Sequence, residues 1–350
     1  DETIMDYVNT SLTKMAYGGI YDQLAGGFSR YSVDTKWHVP HFEKMLYDNG
    51  QLVSVYSKAY QATGIEHYKE VVYETLDFIE QDLLSPEGAF YSSLDADSMN
   101  ASKEMEEGAF YVWKAEELQE ILQEDFDLFS QVFNVGPYGY WEEDNYVLIR
   151  KDGLDQLADK ANITVVELKE KINNWKSKLL NIRSLRDVPG LDDKSLTSWN
   201  ALMLKGYIDA YVVFGEERFL ETALKNAKFI AGIQMNSLGG LNHSYKDGKS
   251  TINGYLEDYA TVIDAFIALY EATLVEQWLT IAKQLTDYVF DHFFETETSM
   301  FYFTSDLDTK LITRKMEFED NVIPASNSIM AHNLFKLSHY YSNAYYLKVS

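Results

Sequence analysis

Apolar residues recur at three-and-four spacing along most of the chain, the signature of amphipathic helices. The clearest run covers 42–62, where Phe42, Met45, Leu46, Leu52, Val53, Tyr56, Ala59 and Tyr60 share one face. Pro40 precedes it, where a missing N–H costs little, and Gly64 ends it. A second helix is predicted from Glu66 to Leu84, stopping before Pro86. Further runs fall at 1–16, 114–133, 164–182, 197–214, 217–235, 256–275, 277–294 and 326–342. The stretch 134–163, opening Asn134-Val135-Gly136-Pro137-Tyr138-Gly139, reads as a long insertion within the domain.

Between the helices lie turns in which a small residue precedes an aromatic or apolar one and then a polar one. Examples are Gly26-Gly27-Phe28-Ser29-Arg30-Tyr31, Gly88-Ala89-Phe90-Tyr91, Gly108-Ala109-Phe110-Tyr111, Gly239-Gly240-Leu241-Asn242 and Met300-Phe301-Tyr302-Phe303. These predict short β-hairpins in the loops. Helix–helix–hairpin units repeating every ~50–60 residues give an open solenoid or a closed ring. Long aromatic turns favour the ring, because long ordered loops usually carry function. The expectation is one all-α domain over 1–350, an (α/α)6 toroid with its loops at one mouth. About ten helices instead of twelve suggest that it is incomplete, lacking a C-terminal hairpin.

Composition narrows the function. The 350 residues carry a formal net charge of −25, which disfavours nucleic acid and anionic membrane surfaces. No cysteine is present, so thiolate chemistry, Cys-ligated zinc and disulfides are excluded within the chain. No apolar run approaches the ~20 residues of a membrane span, and no secretory signal is visible, so a cytoplasmic location is expected. P-loop, dinucleotide-binding and serine-hydrolase motifs are missing, and no cofactor is expected. The 26 tyrosines suit both helix packing and stacking on sugars.

Candidate chemistry clusters in five places. The densest is Arg30, Tyr31, Asp34, Trp37, His38, His41, Glu43, Lys44, Tyr47 and Asp48, in which Glu43, Lys44, Tyr47 and Asp48 would share a helical surface. It reads either as a pocket wall or as a solvated face with local ion pairs. Pro40 between His38 and His41 argues against a metal site, and none is expected. Asp95 and Asp97 form the second cluster, with Glu106 and Glu107 close behind; they could be an acid/base pair or a turn held by Asp side chains. Trp199 and Asn200 follow Asp192-Asp193 and Ser198, which reads as an N-cap. Glu257, Asp258 and Tyr259 open another helix, and Arg314 and Asp320 lead into Ser326-Asn327 before the last one. Each of these fits capping alone, but their recurrence at helix N-termini suggests a polar funnel.

The run Gly18-Gly19-Ile20-Tyr21-Asp22-Gln23 through Arg30-Tyr31-Ser32 and Trp37-His38-Val39-Pro40-His41-Phe42-Glu43-Lys44-Met45-Leu46-Tyr47-Asp48-Asn49 resembles the YyaL-like family of thioredoxin-domain-containing proteins, which includes spermatogenesis-associated members. The likeness continues at Asp95-Ala96-Asp97-Ser98, Glu107-Gly108-Ala109-Phe110-Tyr111-Val112-Trp113, Asp192-Asp193-Lys194, Trp199-Asn200, Glu257-Asp258-Tyr259-Ala260, Arg314, Asp320, Pro324, Asn327 and Ser328. The resemblance implies a six-hairpin glycosidase-like domain, similar to sugar epimerases of the N-acylglucosamine 2-epimerase type, following a thioredoxin-like domain that this chain lacks. The family's Pro-Ser-Gly/Ala-Asn-Ser motif stands here as Pro324-Ala325-Ser326-Asn327-Ser328.

Three functions follow, each with a small carbohydrate or the missing thioredoxin-like domain as partner. The leading one is a glycoside hydrolase with acid and base among Glu43, Asp48, Asp95, Asp97, Glu257 and Asp258. An epimerase would draw on His38 and His41, with His243 as a more distant candidate. The third is a non-catalytic sugar- or partner-binding scaffold. Arg30, Tyr31, Trp37, His38, Lys44, Trp199, Asn200, Tyr259 and Arg314 are expected to bind substrate, and His41 joins the catalytic candidates.

Overall fold

A computed structural model describes residues 2–309 and 312–350, with the Glu2 side chain outside the description. The helices in chain order are α1 (Glu2–Tyr17), α2 (Leu46–Thr63), α3 (Glu66–Phe78), α4 (Ala115–Leu122), α5 (Phe126–Phe133), α6 (Leu154–Ala161), α7 (Val165–Arg183), α8 (Thr197–Phe214), α9 (Glu217–Phe229), α10 (Leu256–Thr273), α11 (Glu276–His292), α12 (Ser326–Tyr341) and α13 (Ala344–Val349). Strands are two or three residues long and antiparallel; Phe294–Glu295 with Met300–Phe301 makes one of the hairpins expected in the turns between helices, whereas Lys44–Met45, Ser93–Leu94 and Leu191–Asp192 pair segments far apart in sequence, because extended residues outside those turns find partners in space. The chain divides into two compact units, one of 1–45, 65–81 and 93–192, the other of 46–64, 82–92 and 193–350.

The first unit contains α1, α3 and α4 to α7. Its core gathers Trp113, Leu118, Phe129, Phe133, Leu168 and Trp175, and a smaller cluster surrounds Phe42 and Val147. Three differences from the sequence pattern stand out. The helix expected to open at 42 begins only at Leu46, because Pro40–His41 and Lys44–Met45 are extended and pair with Tyr31–Ser32 and Ser93–Leu94. Glu43, Lys44, Tyr47 and Asp48 therefore do not share one helical surface. The run 114–133 breaks at Gln123, whose φ of 51° no α-helix accommodates. The stretch 134–163 contains α6, a short helix whose eight residues give too few turns for a clear period.

The second unit contains α2 and α8 to α13. Helices α8 and α10 are its interior: both carry apolar residues nearly all round, and α10 buries Tyr259, Ile263, Phe266 and Ile267 completely. Helix α2 lies against α8 at unusually close range. A Cβ on Gly50 would sit 2.8 Å from the Met203 backbone nitrogen, and one on Gly206 would sit 2.8 Å from the Gly50 carbonyl oxygen. Two glycines facing each other set that separation. Helices α3 and α9 each end in a five-residue π turn, Ile79–Leu83 and Ile230–Gln234, followed by the bridges Leu84 to Phe90 and Met235 to Leu241.

Candidate active site

In the second unit, the site is built on the N-terminus of α10. Tyr255 precedes the helix with extended backbone, and Asp258 sits three residues on. Its Oδ2 accepts the Tyr255 backbone N–H at 2.9 Å, satisfying a donor that the first turn leaves open. Its Oδ1 accepts the Ser198 backbone N–H at 3.0 Å, in the first turn of α8. The residue before α8 is Leu196, which has no capping group, and the buried Ser198 Oγ makes no hydrogen bond. Ser198 is thus not the N-cap that its residue type suggested; a carboxylate from α10 does that work. Asp258 therefore ties two helix N-termini together.

The same carboxylate lies 2.9 Å from His243 Nδ1. His243 is fixed through its backbone: its carbonyl accepts the Thr197 N–H at 2.9 Å, and its own N–H donates to the Ile252 carbonyl at 2.8 Å. The Tyr255 ring packs on the imidazole at 4.7 Å and stacks on Phe303 at 5.2 Å. Burial pulls the His243 pKa down, but the hydrogen bond and charge of Asp258 outweigh it and hold it above the ordinary value. Burial raises the Asp258 carboxyl more than its partners lower it.

Glu257 is the third member. One ligand-type atom from each of His243, Glu257 and Asp258 falls within 4.8 Å of the others. Burial, then the charge of Asp258, push its carboxyl up to about 7; His243 opposes this and Glu317 adds to it. Glu317 caps α12 through Oε2, accepting Ser326 N–H at 3.0 Å and Ser326 Oγ–H at 2.6 Å. The trio has the composition of a metal site. Asp258 already takes two backbone N–H groups and the imidazole, so a cation here would compete with those hydrogen bonds.

The other candidates fall into two kinds of setting. Trp199, in the first turn of α8, is half-buried and contacts the Tyr47 ring at 4.8 Å, while Asp48 lies half-buried in the first turn of α2. Asn200 is fully buried and spent on structure. Its Oδ1 accepts Phe90 N–H at 2.7 Å and Asn226 Nδ2 at 2.9 Å, and its Nδ2 donates to the carbonyls of Phe90 and Leu196. Tyr259 is likewise enclosed, its hydroxyl accepting the Leu241 N–H at 2.8 Å. Arg314 lies over the Tyr302 ring at 4.2 Å and donates to the His292 and Thr304 carbonyls.

The first unit holds the rest. Arg30 and His41 flank Glu43, at 3.2 Å and 3.8 Å, and His41 Nδ1 meets Glu107 at 2.8 Å while stacking on Tyr31. This is an ion-pair network on a partly exposed face. Trp37 has a φ of 61°, and His38 presents a buried Nε2 without a hydrogen bond. Asp34 accepts backbone N–H groups from Lys36, His38 and Val39 and holds that loop. Asp95 is exposed in a turn, and Asp97 faces Glu107 across a strand pair. Lys44, expected to meet substrate, is only 2% exposed. It donates to Asp22 Oδ2 and the Gly26 carbonyl, both at 2.9 Å, and Arg183 binds the same carboxylate. Burial would raise Asp22, but Arg183 and Lys44 hold it far below the usual range.

The structure brings the sequence candidates Glu257 and Asp258 together with His243, the more distant candidate. Sequence reasoning missed Glu317, which lies in an unpatterned polar stretch, and the bridging role of Asp258. The one available signal for His243 was its place just after the Gly239-Gly240-Leu241-Asn242 turn, since such turns recur.

The fold is similar to that of (α/α)6-toroid proteins. The cellobiose 2-epimerase of Bacillus thermoamylovorans superposes with a TM-score of 0.59 at 12% identity, covering 100% of this chain and 70% of that one. In sequence, the chain is similar to spermatogenesis-associated protein 20 of Homo sapiens, 34% identical over 357 residues that cover 93% of this chain and 45% of the relative. An uncharacterized protein of Caenorhabditis elegans is 33% identical over 356 residues, covering 93% and 48%. The chain thus spans about half the length of the curated relatives it matches. No family model matches it. Among the described residues, no helix is long and apolar enough to cross a membrane.

Proposed function

We propose that this chain is a carbohydrate-active enzyme in which Glu257 and the His243–Asp258 pair move protons on a bound sugar. The observation that carries the reading is the Glu257 carboxyl, poised at about 7 beside an imidazole that a buried carboxylate orients. A group with its pKa near the working pH both gives and takes protons efficiently. The imidazole gains basicity and a fixed orientation from Asp258, which acts through it.

An isomerase-type reaction on a reducing sugar accounts for this arrangement better than hydrolysis. Hydrolysis needs a second available carboxylate ~5–9.5 Å from the acid. Asp258 is committed to two backbone N–H groups and the His243 imidazole, so it is not that carboxylate. Glu257 and His243 lie side by side, which suits removing a proton from one carbon while a neighbouring oxygen is protonated. Hydrolysis remains the second reading because of one observation: the charge of Glu317 reaches Glu257, and Glu317 would supply the second carboxylate. The YyaL-like assignment and the thioredoxin-like partner domain rest on the motif resemblance.

The test is solvent-deuterium incorporation at C2 of unlabelled mono- and disaccharides in D2O, followed by NMR, beside a panel of nitrophenyl glycosides. Deuterium uptake that is lost in Glu257→Gln and His243→Asn supports the isomerase reading. Glycoside cleavage lost in Glu257→Gln and Glu317→Gln transfers the assignment to hydrolysis. Neither activity with any sugar overturns both.

A further inference from the structure

The first unit contains a polar cavity of about 800 Å³ that the proposed sugar chemistry does not use. It lies between the hairpin of Asp97–Met99 and Met105–Glu107, the start of α4 and the residues that follow α7. Six carboxylates line it against three cations. Two of the six are matched within the unit. Arg186 binds both oxygens of Glu117, at 3.0 and 3.1 Å, and Lys103 binds Asp187 at 2.6 Å. Glu106, Glu116, Glu120 and Glu143 have no ion-pair partner among the described residues, and of the lining cations only Lys114 is left to offset them. Glu116 and Glu120 stand one turn apart on the same face of α4, where like charges repel. Glu106 is half-buried, and its hydrogen bond from Asn100 Nδ2, at 2.6 Å, brings no charge.

Asn145 is an independent sign of a ligand. It is 8% exposed and lines the same cavity, yet its side-chain amide makes no hydrogen bond with any described group. The amide is not sealed inside the protein: it keeps surface of its own, unlike orphaned atoms such as Trp113 Nε1. It sits opposite Lys114 across a strand pair, so both stand on one face. Buried amides normally find partners.

The arrangement suits an extended polycation better than a single metal ion. A hard divalent ion gathers several oxygens around one point. Among the described residues, His243, Glu257 and Asp258 of the other unit are the one group of three metal-type side chains with ligand atoms within 4.8 Å, so the carboxylates of this cavity are dispersed. Ala109, Val112 and Leu185 line the cavity too and offer methylene spacers apolar contact. We propose that this cavity binds a linear aliphatic polyamine. One ammonium group meets Glu106 and the Asn145 amide oxygen, and another meets the Glu116 and Glu120 pair. Each ammonium donates three hydrogen bonds and accepts none, which matches a wall of carboxylate and amide oxygens.

The test is calorimetric titration of the intact protein at constant ionic strength with spermidine, butylamine, magnesium chloride and a trilysine peptide. Saturable one-site binding of spermidine is expected, at least tenfold tighter than that of butylamine. Glu106→Gln, the double variant Glu116→Gln with Glu120→Gln, and Asn145→Leu should each weaken it at least threefold. Glu276→Gln, which changes an exposed acid of the second unit, should leave it unchanged. Unsaturable binding that Glu276→Gln lowers as much as the cavity variants do is the general field of a chain with a formal net charge of −25, and it overturns the proposal. Magnesium binding as tight as that of spermidine, or trilysine binding that is tighter, overturns it as well. Should Asn145→Leu fail to fold, the exposed double variant on α4 and Glu106→Gln decide alone.

Discussion

His243 Nδ1 and Asp258 Oδ2 are 2.9 Å apart, and the carboxylate of that pair has no exposure to solvent. Asp258 also receives two backbone N–H groups, so it cannot turn away from the imidazole without stranding them. Asp258→Asn should therefore lower the His243 pKa, which NMR titration of the ring protons reads directly. It should cost about 1–3 kcal/mol of stability and lower kcat by on the order of 10²–10⁴. An unmoved His243 titration would mean that the pair does not orient the ring.

Glu257 predicts a pH dependence with a definite sign. Its folded carboxyl stands at about 7 against an ordinary 4.5, so between those values the native state keeps a proton the unfolded chain has lost. The contribution is fully present below 4.5 and is lost as pH rises toward 7, by at most ~3 kcal/mol. The melting temperature of Glu257→Gln should match the parent near pH 4 and exceed it near pH 8. Parallel curves across that range would refute the raised carboxyl.

Asn200 should behave as a structural residue. Its amide binds the Phe90 backbone at both ends and Asn226 besides. Asn200→Ala leaves those groups unpaired in the interior, at about 1–3 kcal/mol for each. Thermal denaturation should show a large drop. Trp199→Ala, whose side chain is half-buried, should lose less stability and alter KM for a sugar substrate instead.

Lys44→Met should be severe for the same reason in the first unit. It removes one cation from the buried Asp22, Lys44 and Arg183 group, and breaking such a group costs about 3–5 kcal/mol. The loss should appear as a lowered urea midpoint. A stability equal to that of the parent would show that Arg183 alone compensates Asp22.

Gly50→Ala tests the α2–α8 contact. The added methyl meets backbone at 2.8 Å, which cannot move like a side-chain tip, so overpacking of about 1–3 kcal/mol is expected. Gly232 is the control: a methyl added there would have nothing within 4 Å, and the alanine variant should not lose stability.

Much of the architecture was legible before any coordinates. The 3.6-residue period located α1, α2, α3 and α7 to α12 within a few residues, because a helix that buries one face writes that face into the sequence. The same period failed at Gln123 and for α6, where a single backbone angle and a short length interrupt it. Residue type marks Lys44 and Asn200 as polar and so as binding groups, while burial depends on what other segments bring against them.

The sequence by itself determined the all-helical class and the gathering of polar groups at helix N-termini. These depend on local periodicity and on backbone groups that every helix start leaves open. Only the tertiary structure decided which carboxylates are poised and which are spent. Asp258 is held by residues 60 and 15 positions away, and Glu257 owes its raised pKa to burial and to a neighbour's charge. Burial and through-space charge are properties of assembled segments, so no reading along the chain could supply them.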